Sequence, residues 1–205
     1  MELLPFLNAD KKEAGLDEAG RGCLAGPVVA AAVILNPLKP IEGLNDSKKL
    51  SPEERSSLAE IIKNNALAWA VSEVGSDVID QVNILQATFI AMHKCVDLLS
   101  VKPDFLLVDG NRFKPYPNIE HSAIIRGDGK YQSIAAASIL AKVHRDALMD
   151  ALHEEFPIYG WKDNKGYPTP SHRTMVMTKG ACKYHRQTFQ IINKNLKAPL
   201  LFGES

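Results

Sequence analysis

Three short runs in this sequence each bring an acid up to a glycine at the end of apolar residues. They are Leu16-Asp17-Glu18-Ala19-Gly20, Leu107-Val108-Asp109-Gly110 and Ile125-Arg126-Gly127-Asp128-Gly129. The ends of sheet strands are where open α/β folds place loops and chemistry. Four carboxylates gathered there would repel one another unless cations held them, and an all-oxygen set suits hard cations such as Mg²⁺ or Mn²⁺. Two such ions about 3.5–4 Å apart can activate a water and stabilise the leaving oxygen of a phosphodiester. Taken singly, each acid reads equally well as a turn residue or a helix cap. Their recurrence points to a site.

Beside the first pair, Gly20, Gly22, Gly26 and Pro27 turn the chain, and glycines let another molecule approach the backbone closely. Arg21, set between two glycines, suits an anionic oxygen. The pair itself poses a problem. Neighbouring strand residues point to opposite faces, so Asp17 and Glu18 cannot both reach one metal pair from a regular strand. Either the strand ends at Asp17 and the turn swings Glu18 around, or one of the acids has no direct role.

The elements that must position these acids are legible in outline. Residues 28–35 read as a buried strand, residues 66–74 as another, and residues 1–9 as a loosely attached lead-in. Ser51-Pro52-Glu53-Glu54 is a helix start with Ser as cap, Pro first and Glu three residues on. Ser76-Asp77 opens a longer helix whose apolar stripe, Val78, Val82, Leu85, Phe89, Met92, Val96 and Leu99, steps by four and three and marks core. Residues 104–109 and 121–129 read as the second and third acid-ended strands, the third ending in an acid between glycines. Residues 131–155 are helical, with small residues at 135–138 for close packing on a sheet. Residues 157–170 form an irregular aromatic and basic loop, followed by helical segments near 171–179 and 186–195.

A chain of 205 residues with 45% hydrophobic content can bury one sizeable core, and no low-complexity linker divides it. No stretch approaches the ~20 apolar residues that span a bilayer, and no secretory pattern opens the chain. Cys23, Cys95 and Cys182 are odd in number and widely spaced, which implies reduced thiols and a cytoplasmic protein. The net charge of zero hides an asymmetry: residues 1–110 carry 10 Lys/Arg against 16 Asp/Glu, residues 111–205 carry 14 against 8. Residues 156–197 hold eight basic residues and one acid, interleaved with Tyr159, Trp161, Tyr167, Tyr184 and Phe189. That composition suits a sugar-phosphate backbone or merely a solvated basic face, with Lys179, Lys183 and Arg186 the residues expected to meet phosphate.

Several motifs together resemble bacterial ribonuclease HII, a type 2 ribonuclease H. They are Asp17-Glu18-Ala19-Gly20-Arg21-Gly22, Asp46-Ser47-Lys48-Lys49-Leu50, Val108-Asp109-Gly110, the run from Ala135 to Val143 with Arg145-Asp146, and Gly166-Tyr167-Pro168-Thr169 with His172. The match runs in order from about residue 13 to 190. The resemblance implies one α/β domain over residues 1–205, of ribonuclease H-like fold. It would have a five-stranded mixed sheet flanked by helices and a basic, mostly helical substrate-binding extension from about 157. The family's type 3 relatives carry an extra N-terminal domain, whereas this sequence has a dozen residues before its first expected strand.

The resemblance also assigns roles. Asp17, Glu18, Asp109 and Asp128 would be the metal-binding catalytic acids. Asp146 rivals Asp128 for the fourth place, but the family's fourth acid precedes the small-residue helix. Gly20, Arg21, Gly22 and Tyr167 would read the ribose 2′-hydroxyl next to a deoxynucleotide, and Lys48 and Lys142 would contact phosphate. Two Mn²⁺ or Mg²⁺ ions are expected with substrate. The implied activity, in a monomer, is hydrolysis of RNA in RNA–DNA hybrids and cleavage 5′ of single ribonucleotides in duplex DNA, leaving 5′-phosphate and 3′-hydroxyl ends. The alternatives are a structure-specific DNA nuclease of the same superfamily and a non-catalytic nucleic-acid-binding module.

Overall fold

The computed structural model describes residues 3–189. Five strands, β1 (Glu13–Ala19), β2 (Val28–Ile34), β3 (Ala68–Val74), β4 (Phe105–Asp109) and β5 (Glu120–Ile124), form one sheet in the order β3-β2-β1-β4-β5. β1 and β3 flank β2 antiparallel, whereas β4 runs parallel to both β1 and β5. The sheet is mixed and five-stranded, as expected.

Every residue of β2 is buried because both faces of the sheet are covered. Val28, Ala30 and Ala32 face one core with Ala87, Met92 and Cys95 of helix α3 (Ile84–Leu98). Val29, Ala31 and Val33 face the other. That second core is built with Leu58 and Ile62 of α1 (Pro52–Asn65) and Ala136, Ala137 and Leu140 of α4 (Gln132–Glu155). The α1 start is capped as the sequence expects: Ser51 Oγ accepts from the Glu54 N–H, and the Glu54 carboxylate accepts from the Ser51 N–H.

Other expectations are corrected. The long helix from Ser76 is two, α2 (Ser76–Val82) and α3, broken at Asn83 with φ 69°. The apolar spacing runs on across the break, but the buried apolar residue of α2 is Ile79, off the expected stripe, while α3 buries Phe89, Met92 and Val96 on it. Asn tolerates the left-handed region and its side chain caps α3, accepting from the Leu85 and Gln86 N–H groups. The lead-in is also better anchored than expected. Leu4 exchanges backbone hydrogen bonds with Lys130 and Gln132, and the buried Glu13 carboxylate accepts from the Leu7 and Asn8 N–H groups.

Part of the aromatic and basic stretch is core. Tyr159 and Trp161 stack, ring centroids 5.1 Å apart, and are buried with Met149 and Val176 of α4 and α6 (Pro170–Lys179). A 3-10 turn (Pro157–Tyr159) and the single-turn helix α5 (Trp161–Asn164) replace the expected loop. Of the expected phosphate contacts here, Lys179 is exposed, Lys183 pairs with Glu155 at 2.9 Å, and Arg186 is buried. Arg186 to Phe189 is turn and not the expected helix; the rest of that segment lies outside the described residues. Among the described residues, no helix is long and apolar enough to cross a membrane.

Two buried histidines close this cluster. His172 Nε2 accepts from the Trp161 indole N–H at 3.1 Å, so its proton sits on Nδ1 and is donated to the Tyr167 carbonyl at 2.9 Å. His185 Nδ1 accepts from the Cys182 N–H, leaving its Nε2–H to donate to His172 Nε2 at 3.1 Å. Neither ring can accept a further proton without losing an acceptor. Burial lowers both, and the neighbouring His172 helps bring His185 from 6.5 to about 4. The unfolded chain therefore binds protons that the folded chain refuses, so stability is full above pH 6.5 and falls as pH drops from 6.5 towards about 4. Between pH 7 and pH 5 the histidine pair lowers the urea midpoint, while the raised carboxyls of the acid cluster act the other way. His185→Gln should therefore lose less, or gain more, over that interval than wild type. An unchanged profile in that variant would exclude the histidine pair as the cause.

Candidate active site

The sheet carries three acid-bearing segments to one end. β1 brings Asp17 and Glu18, β4 ends on Asp109, and parallel pairing sets Leu16 against Val108, so the two strands finish side by side. Asp128 is not at a strand end as expected. It lies four residues beyond β5, on a 3-10 turn (Gly127–Gly129) that leads into α4, and it is buried.

The first of the two sequence alternatives for Asp17 and Glu18 does not hold. β1 continues through both to Ala19, with Glu18 paired opposite Ala30. Alternation puts Asp17 on the α4 side, where the Ser138 hydroxyl donates to its carboxylate and Ser47 in turn bonds Ser138 at 3.0 Å. Glu18 faces the other side, yet its carboxylate still feels both Asp109 and Lys48. Asp109 Oδ1 accepts from the Gly127 N–H at 2.6 Å, which fastens β4 to the Asp128 turn.

The electrostatics are those of a site short of positive charge. Burial first, then Glu18 and Asp109, raise the Asp17 carboxyl well above the usual range. Burial also raises Glu18 and Asp109, the latter with the Asp128 charge adding to it. The cations at hand are Arg21, 3.2 Å from Glu18, and Lys48, 3.6 Å from Asp128. Lys48 is held charged: its burial is outweighed by Asp128, Asp46, Asp17 and Asp109. Among the described residues no three His, Cys, Asp or Glu side chains close into a ready ligand cluster. The donor set nonetheless fits a hard cation, being carboxylate throughout and destabilised by its own repulsion.

The remaining candidates fall into two groups. Lys142 ion-pairs with Asp146 at 2.7 Å, so Asp146 balances a lysine; it sits two turns, about 12 Å, along α4 from Ser138. Asp128 has the Asp109 neighbourhood that Asp146 lacks. Tyr167 is 42% exposed, and its hydroxyl bonds the buried Cys23 thiol, one residue from Gly22. Lys142 Nζ and the Arg145 guanidinium each lie 6.0 Å from that ring. Gly20 needs to be glycine: φ is 95° and a Cβ would fall 2.0 Å from Arg145 Nε. Gly22 does not, since a Cβ there would meet nothing. The fold gives no reason for its open face.

Sequence reasoning gave Arg145 no role and assigned Arg186 to phosphate. Both are fully buried beneath the Gly20–Pro27 turn, and both donate only to backbone carbonyls among the described residues. The Arg-Asp pair at 145–146 was a signal, but it drew notice to the acid.

The family model for ribonuclease HII matches residues 14–192. The chain belongs to the ribonuclease HII family. It is 58% identical over 190 residues to ribonuclease HII of Bacteroides thetaiotaomicron, across 93% of this chain and 95% of that one. It resembles the crystal structure of ribonuclease H2 from Pyrococcus horikoshii with TM-score 0.74 at 27% identity, over 87% of this chain and 94% of that one. A Bst ribonuclease HIII structure in complex with Mn²⁺ shares the fold at TM-score 0.64 and 18% identity, over 87% of this chain and 67% of that one. Family membership makes this a nuclease, a metal-dependent hydrolase of the type 2 ribonuclease H class, and sets aside a non-catalytic module.

A charge-starved site is more stable with one charge removed. Carboxyls raised by folding take up protons that the unfolded chain does not, so stability falls as pH climbs through their window. Asp109→Asn, which keeps the oxygen that accepts from Gly127, should therefore melt no lower than wild type in EDTA at pH 7. It should also lose most of the melting-temperature rise that Mn²⁺ gives wild type. A variant that melts much lower in EDTA would mean that Asp109 serves the fold.

Proposed function

We propose that this chain hydrolyses the RNA strand of RNA–DNA hybrids and cuts 5′ of single ribonucleotides embedded in duplex DNA, leaving 5′-phosphate and 3′-hydroxyl ends. The observation that carries the reading is the adjacency of an acid-lined sheet end to an open glycine turn and a half-exposed tyrosine. Asp17, Glu18, Asp109 and Asp128 would hold two divalent ions, Mg²⁺ or Mn²⁺, which supply water activation and neutralise charge on the phosphate.

The chain's own groups do the rest. Ser138 and the Glu18 N–H, which donates to Asp17 Oδ1 at 2.7 Å, orient the Asp17 carboxylate. The Gly127 N–H orients Asp109, so two of the acids are fixed before substrate arrives. Lys48, exposed beside Asp128, is placed to meet a phosphate, and Lys142 lies near the Tyr167 ring. A 2′-hydroxyl both donates and accepts, and it is what separates RNA from DNA at one position. The Gly20–Gly22 backbone and the Tyr167 hydroxyl and ring are the groups assigned to read it. Residues 157–189 contribute through Tyr167 and exposed Lys179, within one domain. Three unpaired cysteines fit a cytoplasmic setting, and we assign a monomer.

With Mg²⁺, a duplex carrying one ribonucleotide should be cut and the matching all-DNA duplex left whole; equal cutting of both would favour the DNA nuclease reading. Asp128→Asn should abolish cleavage while much hybrid binding remains, since phosphate contacts supply most affinity. Asp146→Asn should be milder. The reverse order would move the fourth acid to Asp146.

Tyr167→Phe should lower kcat/KM on the single-ribonucleotide duplex moderately, as losing one hydroxyl contact costs about 1–2 kcal/mol. Tyr167→Ala, which also loses the ring, should lose more, with melting nearly unchanged in both. Wild-type turnover in Tyr167→Ala would remove this residue from the site.

A further inference from the structure

The two buried arginines lie where a charge is hardest to justify. A buried guanidinium ordinarily meets a carboxylate, but here three hydrogen bonds from Arg145 and four from Arg186 all end on main-chain carbonyls. Arg145 takes the Ala25, Pro27 and Lys165 oxygens. Arg186 takes those of Gly20, Arg21 and, twice, Gly26. The acid acting on Arg186 is Asp80, whose carboxylate accepts from the Gln187 N–H, the Thr188 N–H and the Thr188 hydroxyl.

What this does to the turn follows from peptide geometry. In a trans peptide the N–H points away from the preceding C=O, and the described chain has no cis bond. With the Gly20 and Arg21 carbonyls drawn inward onto Arg186, the N–H groups of Arg21 and Gly22 are turned outward. Neither has an acceptor among the described residues. Both residues are exposed, and the space over Gly22 is open. Two outward donors over a buried positive charge form a concave edge suited to an oxygen-rich ligand.

We propose that Arg186 is a positioning residue for substrate selection: it holds the Gly20, Arg21 and Gly26 carbonyls so that the Arg21 and Gly22 N–H groups face out as donors to the sugar-phosphate edge of a nucleic acid. Arg145 fixes the far side of the same turn and ties it to the loop that carries Tyr167. This rests on the substrate reading above, and it adds the reason the turn is held in a reading conformation. Lysine cannot replace this arginine, because one ammonium cannot span three carbonyls as a planar fork does.

The test compares wild type, Arg186→Lys and Arg186→Ala. In EDTA, with cleavage stopped, adding the single-ribonucleotide duplex should shift the Arg21 and Gly22 amide resonances of wild type. In Arg186→Lys those two shifts should shrink while amides of the central strands stay in place. With Mg²⁺, kcat/KM on that duplex should fall about tenfold or more, the worth of one hydrogen bond to substrate. Should Arg186→Lys fold poorly, Arg186→Ala with millimolar ethylguanidinium, which restores the missing atoms, should regain activity where ethylammonium does not. Wild-type shifts and turnover in Arg186→Lys, or equal rescue by the two cations, would overturn the proposal. Equal cutting of the all-DNA duplex by wild type would instead overturn the substrate reading, and amide shifts with either duplex would still judge the clamp.

Discussion

The close seat of α4 on β1 is the contact on which the rest depends. A Cβ at Gly15 would fall 2.2 Å from the Ser133 carbonyl carbon, so only a glycine in mid-strand lets the helix backbone come this near. The matching surface of α4 is Ala135, Ala136, Ala137 and Ser138, all buried. From that one approach follow the bond from Ser138 to Asp17, the placing of Asp128 on the turn entering α4, and the reach of Arg145 under the Gly20 turn. A larger residue at 15 would move the acids relative to one another as well as weaken the core.

The same seat explains why the acids are tolerated. Their mutual repulsion and burial oppose folding, and no single local bond offsets this. The packed layers on both faces of β2 supply the stability, and the sheet end spends part of it on a site whose charge is incomplete without cations. Lys48 and Arg21 soften the imbalance without closing the site, because both remain substantially exposed.

Regular elements were legible in the sequence because their signals are local. The Ser51 cap, the apolar stripe of α3 and the small-residue face of α4 each needed no more than a turn or two of context. The break at Asn83 was not legible, since the spacing of apolar residues runs on across it. Nor was the burial of Tyr159, Trp161 and Arg186, which lie in irregular chain where no period separates inside from outside. Composition there argued for a nucleic-acid face, and for Arg186 it misled: the charge points at the protein's own carbonyls. Asp17, Glu18 and Asp109 fell where the strand pattern ended, whereas Asp128 needed the turn beyond β5, which has no sequence period of its own.

The acids and the turn beside them are held by different parts of the chain. Asp17, Asp109 and Asp128 are placed by β1, β4 and the turn that enters α4. The Gly20–Pro27 turn is instead gripped by residues from the far end of the chain. Leu24 N–H donates to the Gly166 carbonyl, Gly26 N–H to that of Tyr184, and Arg186 N–H to that of Leu24. The polar groups that hold the turn are thus distinct from those that hold the acids. Arg145 is the exception: it sits on the helix that orients Asp17 and also grips the turn and Lys165. It is the link that keeps the Gly20–Pro27 turn in register with the acids, both held from a single packed helix.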